Sequence, residues 1–184
     1  DMQGSYLGPE FNDDIIEMVD EFCYLGIRFY YTGNLTRAVK ALNDQALKAF
    51  NQLLSVLSRV SLDIKTKLSL FDALVVPIIL YGSEIWGVYN MKEVDKLNYK
   101  FCKIILGVRP QTSNAAVLGE LGRFPLSMIG KQRALKYWIK VISNPDSLMY
   151  DIYNEQCVLF NLFDDVYTTP KQCWCSSIKS LLNN

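Results

Sequence analysis

The spacing of apolar residues changes near Asn34, and the predicted secondary structure changes with it. Between residues 15 and 33, Val19, Phe22, Tyr24, Ile27, Phe29 and Tyr31 supply the β-branched and aromatic side chains that strands favour, and Gly33-Asn34 closes the run. Gly26 lies inside this run and predicts a bulge or a close approach to the backbone by something else. From Asn34 onward the period is helical. Val39, Leu42, Ala46, Phe50, Leu53, Leu57 and Val60 recur at steps of three and four and form one apolar stripe, while Lys40, Asp44 and Lys48 share another face. Ser61 or Asp63 stands where the N-cap of a second helix belongs, with Leu68, Phe71, Val75 and Ile78 on one side. The later half of that helix, Ala73 to Tyr81, has no polar side-chain group except the tyrosine hydroxyl. It is far short of the roughly 20 residues that span a bilayer, so it reads as a buried core helix, kinked where Pro77 meets the Ala73 carbonyl.

A third helix is predicted from about Met91 to Leu106, with Val94, Leu97, Phe101 and Ile104 inward and Lys92, Lys96, Lys100 and Lys103 opposite. A short helix near Asn114–Leu121 ends at Gly122. Pro125 opens the next, with Leu135, Trp138, Ile139 and Ile142 inward and Arg133, Lys136 and Lys140 outward, and Asn144-Pro145 stops it. One more helix is expected from Ser147 and another from Lys171. The fold expected is therefore mainly α: a β-hairpin over residues 1–33, a bundle of about five helices over 34–150, and a helical C-terminal extension over 151–184.

Composition narrows the function. The chain has 184 residues, half of them apolar and 21% charged, so disorder is excluded and a sizeable core can form. It contains no histidine, which removes Ser-His-Asp and Cys-His catalysis, His-ligated zinc and histidine general bases together. Its net charge is zero, so it is not a uniformly basic nucleic-acid-binding protein. The charge is nevertheless uneven: residues 28–140 hold 17 basic and 7 acidic side chains, between two acidic ends. Lysines that share a helix face repel one another by a few tenths of a kcal/mol per pair. Helix stability gains nothing from such a stripe, and a polyanionic partner explains it better than ordinary solvated faces.

Little else in the sequence carries chemistry. Five cysteines, an odd number, point to free thiols in a reducing compartment, and Cys173-Trp174-Cys175 without a second pair is a poor metal site. Asn34-Leu35-Thr36 fits a glycosylation pattern but reads more simply as a helix entry. Phe11-Asn12-Asp13-Asp14 has the form of a polymerase aromatic-x-Asp-Asp signature. It lacks both the flanking strand and the second carboxylate strand that two-metal chemistry needs, and reads as a solvated turn. Phe163-Asp164-Asp165 is weaker still, and Gly119-Glu120-Leu121-Gly122 is a helix end with no phosphate loop around it. The chain thus holds no self-sufficient active site. A start at Asp1 is what a fragment or processed piece would show, and no secretory signal is visible.

Several ordered segments carry a resemblance. Phe22-Cys23-Tyr24-Leu25-Gly26-Ile27-Arg28-Phe29 with Thr32-Gly33, the stretch from Leu68 to Trp86, Lys100 to Val108, and Thr112 to Gly122 resemble the region after the palm in non-LTR (LINE-type) retrotransposon reverse transcriptases. The match spans roughly residues 15–150. It implies that the first segment is the primer grip and that the helices form a reverse-transcriptase thumb, which holds an RNA–DNA template–primer duplex. The Mg2+-binding aspartates of such a parent would lie in its palm, upstream of Asp1. On this resemblance the chain needs no cofactor of its own, partners the palm and fingers, avoids membranes and works inside the cell, in nucleus or cytoplasm. The nucleic-acid-binding residues it implies are Tyr24, Gly26, Arg28, Lys40, Lys48, Lys65, Lys67, Lys96, Lys100, Lys103, Arg133 and Lys136. For Tyr24, plain sheet packing serves equally well. A helical protein-interaction module, or a retroelement remnant, is the alternative; it is motivated by Phe160, Phe163, Trp174 and the two flanking cysteines in a C-terminal tail expected to be exposed.

Overall fold

The computed structural model describes residues 10–11, 14–15, 18–31, 33, 35–89, 91–163 and 173–183. Asn12, Asp13, Thr32, Asn34, Asp164, Asp165 and Lys171, all named above, lie outside them. The chain forms two units, residues 1–40 and 41–184.

Two antiparallel hairpins lie in the first unit. Strand β1 (Glu10–Phe11) pairs antiparallel with β2 (Asp14–Ile15), Phe11 opposite Asp14, so Asp14 is a strand residue and not part of the solvated turn expected. Strand β3 (Glu21–Tyr24) pairs with β4 (Ile27–Tyr30), Tyr24 opposite Ile27. Leu25 and Gly26 are the two turn residues, with φ of 49° and 80°. Two positive φ angles make a turn whose twist suits a tight hairpin. Gly26 is thus the turn glycine and not a bulge, the first of the two readings its position offered, and no described atom lies within 4 Å of where its Cβ would stand; Leu25 adopts the left-handed backbone at a cost of about 1–2 kcal/mol. Alternation along the strands puts Phe22, Tyr24, Ile27 and Phe29 on one face, and that face is not covered: Phe22 is 59% and Phe29 42% exposed.

Nine helices follow among the described residues. Helix α1 (Thr36–Leu57) buries Ala38, Leu42, Ala46, Phe50 and Leu53, close to the expected stripe, although Val60 falls beyond its end and is exposed. Asp63 caps α2 (Ile64–Leu74): its carboxylate accepts the Thr66 backbone N–H at 3.1 Å and the Thr66 hydroxyl at 2.5 Å. The expected kink at Pro77 is a full break. α2 stops at Leu74, and α3 (Val76–Ile79) starts afresh with Pro77 in its first turn, where a missing N–H costs nothing. A further single turn, α4 (Ser83–Trp86), precedes α5 (Lys92–Leu106), α6 (Asn114–Glu120) and α7 (Leu126–Ile142). Helices α8 (Leu148–Phe163) and α9 (Trp174–Leu182) complete the chain. Seven of these helices, not about five, end before Ser147, because one predicted helix divides at Pro77 and a single turn forms around Trp86; α8 and α9 are the two helices expected of the C-terminal stretch.

The core of the second unit centres on three fully buried rings. Phe71 and Phe101 stack with centroids 4.1 Å apart, and Phe50 meets both edge-on at 6.3 and 6.1 Å. These contacts join α1, α2 and α5 at a favoured aromatic geometry. Helix α7 packs against α4, α5, α8 and α9. Its buried residues are Leu126, Gly130, Ala134 and Val141, so the inward face is rotated from the one expected: Ile139 is 52% exposed. Likewise Ile104 of α5 is 44% exposed, while Asn98 is fully buried and donates to the Phe124 carbonyl at 3.4 Å. Among the described residues, no helix is long and apolar enough to cross a membrane.

Candidate nucleic-acid interface

Lysine placement follows from which side of each helix the core occupies. With the α1 stripe buried, Lys40, Asp44 and Lys48 are left exposed on another face. On α5, Val94, Leu97 and Phe101 point inward and leave Lys92, Lys96 and Lys100 exposed. Lys65 is exposed in the first turn of α2, Lys67 is half-buried, and Lys136 is exposed on α7. Lys40, Lys48, Lys65 and Lys136 have no ion-pair partner among the described residues.

Helices α1, α2 and α5 are brought together by the ring cluster and carry the exposed Lys48, Lys65 and Lys100 in turn. Lys100 Nζ lies 5.6 Å from the Phe50 ring centroid, so its charge sits beside the helix that bears Lys48. Lys65 lines an open groove of about 550 Å³ between α2, the end of α5 and the α6–α7 loop, with Leu68, Asp72, Leu121 and Arg123. Arg123 forms a two-pronged pair with Asp72, at 2.9 and 2.6 Å, and its guanidinium lies 5.9 Å from the Phe71 centroid. The Asp72 carboxylate raises the Arg123 pKa further. Arg123 therefore fastens the loop after α6 to α2, and a planar fork suits this better than a lysine. It was absent from the sequence-derived set, and its partner 51 residues earlier leaves no sequence signal that could have found it.

Other members of the expected set have local tasks. Lys96 pairs with Glu93 one turn back, and Lys103 is half-buried with Nζ donating to the Pro110 carbonyl at 2.7 Å. Arg133 was expected to face outward with Lys136. It is instead half-buried and donates to the Leu80 carbonyl at 3.0 Å, capping the end of α3. In the hairpin unit, Arg28 pairs across the strands with Glu21 and holds that carboxyl below its ordinary range. Tyr24 projects from the uncovered face, 58% exposed.

In the C-terminal tail, the side chains of Phe160 and Phe163 lie outside the described residues, and Trp174 departs from the exposed aromatic expected. Trp174 is half-buried between Tyr137 and Tyr153, with centroids at 5.8 and 6.1 Å, and its indole N–H reaches the Glu84 carbonyl at 3.3 Å. Cys175 is buried.

Over 81 residues, 44% of its length, the chain is 32% identical to an uncharacterized transposon-derived protein of Caenorhabditis elegans, and it spans 29% of that protein. No protein-family model and no solved structure matches it.

Proposed function

We propose that this chain is the thumb and adjoining primer-grip segment of a retroelement RNA-directed DNA polymerase. It holds the template–primer duplex and leaves phosphoryl transfer to a palm. The observation that carries this reading is the set of exposed ammonium groups, Lys48, Lys65 and Lys100, on the three helices fixed to one another by the Phe50, Phe71 and Phe101 rings. An RNA–DNA hybrid is close to A-form and is gripped through sugar and phosphate, for which lysines on a rigid scaffold are suited and base-reading groups are not required. The likeness to a transposon-derived protein supports retroelement origin. Lys40 and Lys136 extend the cationic set, and Tyr24 and Gly26 at the hairpin tip are the groups offered to the primer strand.

Anisotropy titration of a labelled RNA–DNA hybrid tests this. The triple variant Lys48→Gln, Lys65→Gln, Lys100→Gln is expected to lose about tenfold or more in affinity at low salt. Equal affinity for both proteins, or none for the wild type, refutes the reading. The uncovered face of Phe22, Tyr24 and Phe29 favours a second one, a module that binds a protein neighbour. Under that reading the triple variant leaves partner capture intact and Phe22→Ser abolishes it.

A further inference from the structure

Two thiols at the start of α9 are placed for chemistry that the duplex-binding reading does not use. Cys173 has extended backbone (φ −96°, ψ 163°) and serves as the N-cap of α9; its Sγ accepts the Ser176 N–H at 3.4 Å and lies 3.0 Å from Cys175 Sγ. The surroundings fix this pair. The Cys173 carbonyl accepts the hydroxyls of Ser176 and Ser177 at 2.9 and 3.0 Å, and Trp174 between the two cysteines is held by Tyr137, Tyr153 and the Glu84 carbonyl. A disulfide needs the sulfurs about 2.05 Å apart, so a further approach of roughly 1 Å closes the bond.

We infer that Cys173 and Cys175 form a redox-active dithiol that a low-molecular-weight disulfide oxidises to an intramolecular bond. The two sulfurs differ as attacking and resolving thiols should. Cys173 is partly exposed at a helix N-terminus, where backbone N–H groups favour a thiolate; Cys175 is buried. Burial pushes the Cys173 thiol up, but the hydrogen bonds from Ser176 and Cys175 outweigh it and hold its pKa below the ordinary value. Burial, and then the neighbouring Cys173, push Cys175 up to about 12. The Cys173 thiolate attacks one sulfur of the oxidant, whose S–S bond breaks, and the first thiolate leaves with the electron pair and takes up a proton. Cys175 then gives up its proton and attacks the Cys173 sulfur of the mixed disulfide, and the second small thiol departs. The protein dithiol loses two electrons and two protons; the oxidant becomes two thiols. Cys157 lies beside Cys175 and is the competing partner.

Oxidised glutathione is the probe, applied to the full chain and followed by intact mass and peptide mapping of alkylated protein. Wild type is expected to lose the mass of two hydrogens, with the new bond mapped to Cys173–Cys175. Cys175→Ser is expected to accumulate one glutathione adduct on Cys173, and Cys173→Ser to slow consumption of the Cys175 thiol by about tenfold or more. A Cys157–Cys175 bond, or adducts at Cys23 while Cys173 and Cys175 stay reduced, overturns the proposal. The wild-type map decides the matter even if a variant misfolds.

Discussion

Replacing Phe71 by alanine removes the ring that ties α2 to both α1 and α5. The side chain is fully buried, stacked on Phe101 at 4.1 Å and met edge-on by Phe50. Phe-to-Ala changes in cores cost about 3–5 kcal/mol. The loss of two ring pairs, each adding about 0.5–1.5 kcal/mol beyond burial, favours the upper part of that range. Taking about 4 kcal/mol, out of the roughly 5–15 kcal/mol that hold a domain folded, the variant retains only marginal stability. Urea unfolding followed by circular dichroism reads the change: with a slope near 2 kcal/mol per molar, the midpoint falls by about 2 M. Phe71→Leu keeps most of the volume and costs about 1.5 kcal/mol. A double-mutant cycle of Phe71 with Phe101 should show a coupling of about 1 kcal/mol. A Phe71→Ala midpoint shift below about 0.5 M, at unchanged slope, would mean that these three helices are not joined through the rings, and the scaffold for the lysines would go with them.

Three more outcomes are expected. Gly87→Ala sets a Cβ 2.6 Å from the Gly130 carbonyl oxygen, whereas a Cβ at Gly130 crowds the flexible end of Met91 and meets the Gly87 backbone at an ordinary 3.6 Å; the first should cost about 1–3 kcal/mol by thermal melting and the second clearly less. Asp72→Asn takes the carboxylate from Arg123. Because Asp72 is half exposed, solvent limits the cost to about 1 kcal/mol, a Tm loss of about 2–4 °C. Hydrogen bonds from the Thr66 hydroxyl and backbone N–H hold the Asp63 carboxyl below its ordinary pKa. The stability it confers is present above the unfolded value of about 3.9 and fades as the pH falls through the lower folded value. Acid titration of wild type against Asp63→Ala should show the gap between their melting temperatures close below pH 4, and a constant gap would contradict the assignment of the cap.

How much of this was legible beforehand depends on the physical cause. The α1 stripe and the Asp63 cap are local, repeat at helical period, and are visible in the letters alone. The same holds for the stop at Gly122. The inward face of α7 is not local. It is set by the close approach of Gly130 to Gly87 and Met91, so the small residue, not Ile139, points inward. Arg133 reads as one more surface cation because its acceptor, the Leu80 carbonyl at the end of α3, lies 53 residues away and no period links the two. Arg123 and Asp72 are 51 residues apart, and no period links them. Trp174 looks like an exposed tail aromatic because the Tyr137 and Tyr153 rings that flank it come from other helices. The exposure of Lys40, Lys48, Lys65, Lys96, Lys100 and Lys136 was the readable part of the candidate site; the half-burial of Lys67 and Lys103, and which lysines share a scaffold, were not.

The dependence of hybrid affinity on salt tests the central claim most directly. Each phosphate neutralised contributes about 0.7–0.9 to the slope of log K against log salt, so the wild type should show a steep negative slope. In the Lys48, Lys65 and Lys100 triple variant the slope should be shallower by between about two and three. A wild-type slope near zero, or equal slopes for the two proteins, would contradict the account.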